Sequence, residues 1–239
     1  MEIQIAVAKI NQFGSEESGD SLEVIERPNG GVSVVLSDAK MSGKAAKATS
    51  AMVVRKVIGL LADGVRDGAA ARAASDALFT EKGGTVSAYL DILSADFQTN
   101  TMVVSRNNPT PMYICRGDRI ETLTGEDNAI GLSRNVKPVI SEISLEAGIT
   151  IILYTDGLIK AGNNYGQGID ICMSFESLME EQQPRPQDIA DTILREAIAL
   201  DQGRPGDDMS IVVLQVQARE SDQIRRLNVR WPYIHLGQE

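Results

Sequence analysis

Histidine, cysteine and aromatic side chains are all scarce in this chain of 239 residues, which has one His, two Cys and 4% aromatics. The sole histidine, His235, lies near the end of the sequence, so a Ser-His-Asp triad or a His-rich metal centre has no supply of imidazoles. Cys115 and Cys172 are too few for a disulfide framework or a Cys-rich zinc site. No apolar stretch approaches the roughly 18 residues of a membrane helix, and no basic segment followed by an apolar one marks a signal peptide. Positive charge is also short. A formal net charge of −10 argues against a nucleic-acid or anionic-membrane surface. The expectation is a soluble, reduced, cytoplasmic protein with no nucleic-acid or membrane partner. Linker-like tracts, long charge blocks and internal repeats are missing too.

What is present is a 43% apolar content, ample for a core. With so few aromatics, that core is built mainly from Val, Ile, Leu, Ala and Met. Any chemistry falls to carboxylates.

Three apolar runs organise the chain. Val32 to Leu36 ends at Ser37-Asp38, Ile149 to Tyr154 ends at Thr155-Asp156, and Ile211 to Leu214 follows Asp207-Asp208. Runs of this length bounded by turn signals read as strands buried on both faces. Around them, Glu2 to Ile10 alternates as a half-buried strand, and Asp20, Leu22 and Val24 begin a second one. Pro28-Asn29-Gly30-Gly31 marks a hairpin. A loop centred on Asn29-Gly30 sets Arg27 against Val32 and Ser21 against Asp38, leaving Asp20 diagonal to Asp38. Asp20 then either joins the other acids or is a loop acid after Gly19.

Ser42 is placed to cap a helix whose apolar positions Val53, Val57, Leu60 and Leu61 share one face. An Ala-rich helix covers about Gly68 to Lys82. Alternation from Thr85 predicts a strand with Val86, Ala88, Leu90 and Ile92, and Met102 to Val104 predicts another. Met112 to Cys115 forms a hairpin at Arg116-Gly117-Asp118, and Val139 to Leu145 adds a strand. Helical patterns occupy about Phe175 to Glu181 and Gln187 to Leu200.

Asp38 and Asp156 follow their strands, whereas Asp207 and Asp208 precede theirs. If the third strand runs antiparallel to the other two, all these acids meet at one end of the sheet. With no basic residues counted among them, such carboxylates repel one another unless cations fill the site. An all-oxygen donor set suits Mg²⁺ or Mn²⁺. The alternative is a set of unrelated turn acids.

At these residues a resemblance emerges. Ser37-Asp38-Ala39-Lys40-Met41-Ser42-Gly43, Tyr154-Thr155-Asp156-Gly157 and Gly206-Asp207-Asp208-Met209-Ser210 resemble the metal motifs of the metal-dependent (type 2C) protein phosphatases, in their SpoIIE-like bacterial branch. Asn107 to Met112, Ile130-Gly131-Leu132 and Leu145-Glu146-Ala147-Gly148 resemble that branch as well. The similarity covers roughly Gly19 to Val216.

The resemblance implies an α+β fold, a four-layer α-β-β-α sandwich of two mainly antiparallel sheets flanked by helices. One domain would span residues 1–216, with a C-terminal extension over 217–239. It implies that Asp38 bridges two divalent cations, Mn²⁺ or Mg²⁺, and that the Ala39 carbonyl binds one of them. Asp156 and Asp207 complete the cluster, Asp20 anchors a cation directly or through water, and Asp208 plays an outer role. Ser42, Gly43 and Lys44 at the helix start would hold phosphate, with a merely solvated Lys44 as the alternative. The implied activity is hydrolysis of a phosphoserine or phosphothreonine monoester on a signalling protein, such as a phosphorylated anti-sigma-factor antagonist.

Ala39 and Met41 depart from the family's Gly-rich loop, and no phosphate-binding arginine stands near the N-terminus. These departures keep a second reading, a phosphatase-fold binding module with little or no turnover. A third is a small-molecule phosphomonoesterase. Beyond the resemblance, Leu227 to Ile234 reads as a short edge strand, since Pro232 excludes a central one, with Trp231 and Tyr233 packing on the domain or on a second subunit.

Overall fold

The three apolar runs are strands with both faces covered, and the period of two in their side chains sorts the molecule into layers. The computed structural model of the chain describes residues 1–180, 184–218 and 223–232. In order come β1 (Glu2–Ile10), β2 (Asp20–Glu26), β3 (Gly31–Ala39), α1 (Gly43–Ala62), α2 (Asp67–Lys82), β4 (Ala88–Asp96) and β5 (Thr101–Asn107). Then follow β6 (Met112–Arg116), β7 (Arg119–Leu123), β8 (Val139–Ser144), β9 (Ile149–Tyr154), α3 (Asp156–Lys160), α4 (Ile171–Glu180), α5 (Pro186–Leu200) and β10 (Met209–Gln217). The predicted end of the fourth helix, Glu181, lies outside the described residues.

Two five-stranded antiparallel sheets result, ordered β1-β10-β9-β6-β7 and β2-β3-β4-β5-β8. Between them lies the inner core, with Val34, Leu36, Leu93 and Val104 from one sheet against Ile151, Leu153, Val212 and Leu214 from the other. The alternate residues point outward. Val35, Leu90 and Ile92 pack under Val53, Val57 and Leu61 of α1 and Ala70, Ala74 and Leu78 of α2. Ile152, Tyr154, Ile211 and Val213 pack under Phe175 of α4 and Ile189, Ile193 and Ala197 of α5. This is the four-layer α-β-β-α sandwich that the resemblance implied.

Four details differ from the sequence reading. First, the strands that carry the acids do not share a sheet: β3 belongs to one, β9 and β10 to the other. Burial on both faces hides sheet membership in a sequence, because inward and outward positions are equally apolar.

Second, the β2–β3 hairpin is shifted by one residue. Arg27 pairs with Gly31 through a 3.0 Å N–H···O bond, and the pairing Glu26↔Val32 runs down to Asp20↔Asp38. Pro28-Asn29-Gly30 is a three-residue loop with Gly30 at φ 88°, the turn-plus-bulge form of hairpin rather than the two-residue one. Asp20 therefore faces Asp38 directly instead of diagonally.

Third, Ser42 holds the N-cap position of α1, but its hydroxyl makes no capping bond. Fourth, Leu227 to Pro232 form no strand, and Trp231 is 86% exposed rather than packed on the domain. Tyr233, Ile234 and His235 lie outside the described residues. Pro232, which has no N–H to give to a ladder, is consistent with the missing strand.

The first and last strands of the domain are neighbours: β1 pairs with β10 from Glu2↔Gln217 to Ile10↔Met209. The acids lie at the Ile10–Met209 end.

Candidate functional site

Strand direction alone gathers the chemistry at one rim. The start of β2, the end of β3, the exit of β9 and the entry to β10 all open there, contributing Asp20, Asp38, Asp156 and Asp207 from both sheets. The approach of the last two depends on Gly157. A Cβ at that position would lie 2.0 Å from the Asp208 carbonyl oxygen, so only glycine lets α3 reach the entry of β10.

Asp20 is the deepest of the acids, 1% exposed. Its Oδ2 accepts hydrogen bonds from the Ser210 hydroxyl at 2.6 Å and the Thr155 hydroxyl at 3.0 Å. Both donors belong to the opposite sheet, so this carboxylate ties the two sheets together at the rim. The Lys9 and Lys47 ammonium groups donate to the Asp20 backbone carbonyl at 2.6 and 3.1 Å. Burial pushes the Asp20 carboxyl up to about 7 against the pull of those hydroxyls and of Lys9. Burial, reinforced by the charges of Asp20 and Asp156, pushes Asp38 up to about 8. Burial also lowers the Lys9 ammonium to about 8, with Lys47 adding like-charge repulsion.

Nearer the surface the acids are not alone, which overturns the expectation of a cluster without basic partners. Lys40 Nζ lies 2.5 Å from Asp156 Oδ2 and 3.6 Å from Asp38 Oδ2, and it stands 3.7 Å over the centre of the Tyr89 ring. Lys160 Nζ lies 2.9 Å from Asp156 Oδ1 and 2.8 Å from Asp207 Oδ2. Burial alone would raise the Asp156 pKa, but the hydrogen bonds from both lysines outweigh it and hold it below the ordinary value. The same contacts outweigh desolvation at Lys160 and raise its pKa. Both lysines were readable. Lys40 is two residues beyond Asp38 along an extended chain, and Lys160 is four beyond Asp156 on a helix, spacings that put side chains on one face.

The remaining expected residues are distributed as follows. Asp208 turns away from the rim and pins the β1–β2 loop, accepting from the Gln12 and Gly19 amides at 2.9 and 2.7 Å. The Ala39 carbonyl accepts the Met41 N–H at 2.7 Å, which leaves one of its two lone-pair directions. The Met41 side chain lies back along α1, its sulfur accepting from the Thr49 hydroxyl at 3.6 Å. Ser42 and Lys44 are exposed, and Gly43 begins α1 at φ 66°. Beside Asp207 lies a cavity of about 240 Å³, lined by Lys160, Asn163 and Asn164 among others.

Asn107 to Met112 carries the chain from one sheet to the other. Asp91 holds this crossing: Arg106 Nε donates to its Oδ1 at 2.7 Å and Asn108 Nδ2 to its Oδ2 at 2.6 Å, all buried. Arg106 also donates to the carbonyls of Leu123 and Thr110.

The donor chemistry of the rim suits hard divalent cations, since every candidate ligand is oxygen. Among the described residues, however, no three acidic, His or Cys side chains converge closely enough to cage one ion. Two ammonium groups, of Lys40 and Lys160, instead stand between the carboxylates. No helix among the described residues is long and apolar enough to cross a membrane.

Residues 28–217 match the family described as Stage II sporulation protein E (SpoIIE). The protein of that name from Priestia megaterium is 25% identical over 215 residues, which are 90% of this chain and 36% of the relative. The one from Bacillus subtilis (strain 168) is 24% identical over 214 residues, 90% of this chain and 26% of the relative. The chain thus spans little more than a third, or less, of these relatives. Among solved structures, the PP2C phosphatase domain of Bacillus subtilis SpoIIE with a fragment of its regulatory domain gives a TM-score of 0.76 at 23% identity, covering 90% of this chain and 64% of that one. RsbX in complex with magnesium gives 0.69 at 17%, covering 90% and 96%. The catalytic domain of the serine/threonine phosphatase PstP, in complex with two manganese ions, gives 0.68 at 18%, covering 90% and 98%. At these identities the structures establish the fold, that of a PP2C phosphatase domain. With most of its length matched by the family model, the chain belongs to the SpoIIE family.

Proposed function

We propose that the domain hydrolyses phosphoserine or phosphothreonine monoesters on a regulatory protein, of the kind exemplified by a phosphorylated anti-sigma-factor antagonist, with Mn²⁺ or Mg²⁺ as cofactor. The observation that carries this reading is the meeting of Asp38, Asp156 and Asp207, from three distant segments and both sheets, at one rim with lysine ammonium groups between them. Asp38, Asp156, Asp207 and the free lone pair of the Ala39 carbonyl would hold the divalent cations. When bound, these supply Lewis-acid charge that activates water and offsets charge on the phosphoryl oxygens.

The chain's own residues have separable tasks. Burial keeps Asp38 protonated near neutral pH, and it would have to be ionised to serve as a ligand. Asp20, held by Ser210 and Thr155, fixes the ends of both sheets and so the spacing of the ligands. This positioning role stands beside the one the resemblance implies, in which Asp20 anchors a cation directly or through water. Asn163 and Asn164 line the cavity beside Asp207, where the phosphoryl group would enter. Neither cysteine supplies a nucleophile, since Cys115 packs into the outer core and Cys172 belongs to α4. Direct attack by water fits that inventory.

The two lysines among the acids favour one alternative, a binding module whose rim is permanently neutralised. Phosphate release from a phosphoserine peptide, with and without Mn²⁺, separates the two. Metal-dependent turnover abolished by Asp38→Asn is the expected result. No turnover at saturating Mn²⁺ leaves the binding module.

A further inference from the structure

We propose that Lys40 and Lys160 are built-in counter-cations that occupy the carboxylate rim in the metal-free protein and must leave it for a divalent cation to bind, so that they set the metal affinity. The inference rests on the reading of the rim given above.

The contacts are specific and engage every oxygen of two of the acids. Asp156 offers one oxygen to each ammonium group, Oδ2 to Lys40 and Oδ1 to Lys160. Asp207 gives Oδ2 to Lys160 and Oδ1 to the Asp208 amide, so both of its oxygens are engaged as well. These N···O separations of 2.8–2.9 Å at Lys160 compare with ligand distances of about 2.0–2.1 Å at Mg²⁺, so the ammonium group props the carboxylates apart. A divalent ion would draw them inward, which accounts for the absence of a preformed three-acid cage among the described residues.

Both lysines also have a way out. The Lys160 side chain is 50% exposed and ends beside the cavity, so its departure leaves the ammonium in water. Lys40 already stacks on Tyr89, a seat that a cation can keep after releasing the acids. Each lysine is thus a displaceable occupant rather than a buried permanent partner. Divalent ion and lysines compete for the same oxygens.

The competition is read by calorimetric titration of the chelator-treated chain with MnCl₂ alone. Half-exposed ion pairs are weak, so each of Lys160→Met and Lys40→Met is expected to tighten Kd by about threefold to tenfold, and the double variant by more. Lys160→Arg, which keeps the charge, is expected to stay near wild type. Lys56→Met, on the exposed face of α1, removes the same unit of charge away from the rim and is expected to change little. Lys160→Gln provides a second, polar replacement should the Met variant fold poorly. In parallel, the metal-free melting temperature is expected to fall in the lysine variants, because the acids lose their partners, and its rise on adding Mn²⁺ to grow.

Lysine variants that bind Mn²⁺ no more tightly than wild type overturn the inference. Asp207→Asn tells its failure from that of the site. If Asp207→Asn weakens binding while the lysine variants leave it unchanged, only the counter-cation role is lost. If Asp207→Asn has no effect either, the rim is not the metal site and the functional reading falls with it.

Discussion

Asp20→Asn tests the electrostatics of the rim in the absence of metal. In the native protein the Asp20 carboxyl is raised from 3.8 to about 7 because it is buried, so between those values the folded state binds a proton that the unfolded state has lost. Its contribution is therefore fully present below about pH 3.8 and disappears as pH rises toward 7. The full rise corresponds to about 4 kcal/mol; relaxation and hydration of the charged form reduce the usable effect to about 2–4 kcal/mol. Asn keeps an acceptor oxygen for Ser210 and Thr155 but carries no charge at any pH. At pH 8 in chelator the variant should melt above wild type by about 4–16 °C, while at pH 4 the two should nearly coincide.

One other shifted group, Asp38, acts in this window. Asp156 and Asp188 are lowered and act below about pH 3.8, and Lys9 acts only above about 8, where it makes stability rise with pH. Asp38, raised to about 8, acts in the same sense as Asp20. Thermal melts of both proteins at half-unit steps from pH 4 to 8 provide the test. A variant curve parallel to wild type throughout would refute the argument that Asp20 is held ionised against a burial cost.

Two further outcomes are expected. Mn²⁺ binding near pH 6.5 should release at least one proton and strengthen as pH rises from 6 to 8, because Asp38 is held protonated there and a ligand must be ionised. Equal titration heats in buffers of different ionisation enthalpy would contradict this. Arg106→Ala should cost about 3–5 kcal/mol in urea unfolding, since it strands the Asp91 carboxylate in the interior; a loss under about 1 kcal/mol would show that Asn108 alone satisfies that charge.

Much of this architecture was legible because strand burial is a strong local signal. Val32 to Leu36, Ile149 to Tyr154 and Ile211 to Leu214 announced the core strands, and each brought its acid to a strand end. The hairpin register differs by one residue because Gly30, with φ 88°, closes a three-residue loop that Asn29-Gly30 alone does not distinguish from a two-residue one. Sheet membership was illegible for a different reason. Val34 and Val35 face the opposite sheet and a helix respectively, and both environments demand the same kind of residue. The lysine partners follow from spacing alone, since Lys160 sits one helical turn past Asp156. The placement of Thr155 and Ser210 around Asp20 depends on the two sheets meeting, which no local pattern encodes.

The pairing of β1 with β10 has a bearing on how such a domain can be carried. Glu2 and Gln217 leave the fold side by side, at the pole away from the aspartates. Chain that continues beyond either strand end departs from that pole, like a handle behind the molecule.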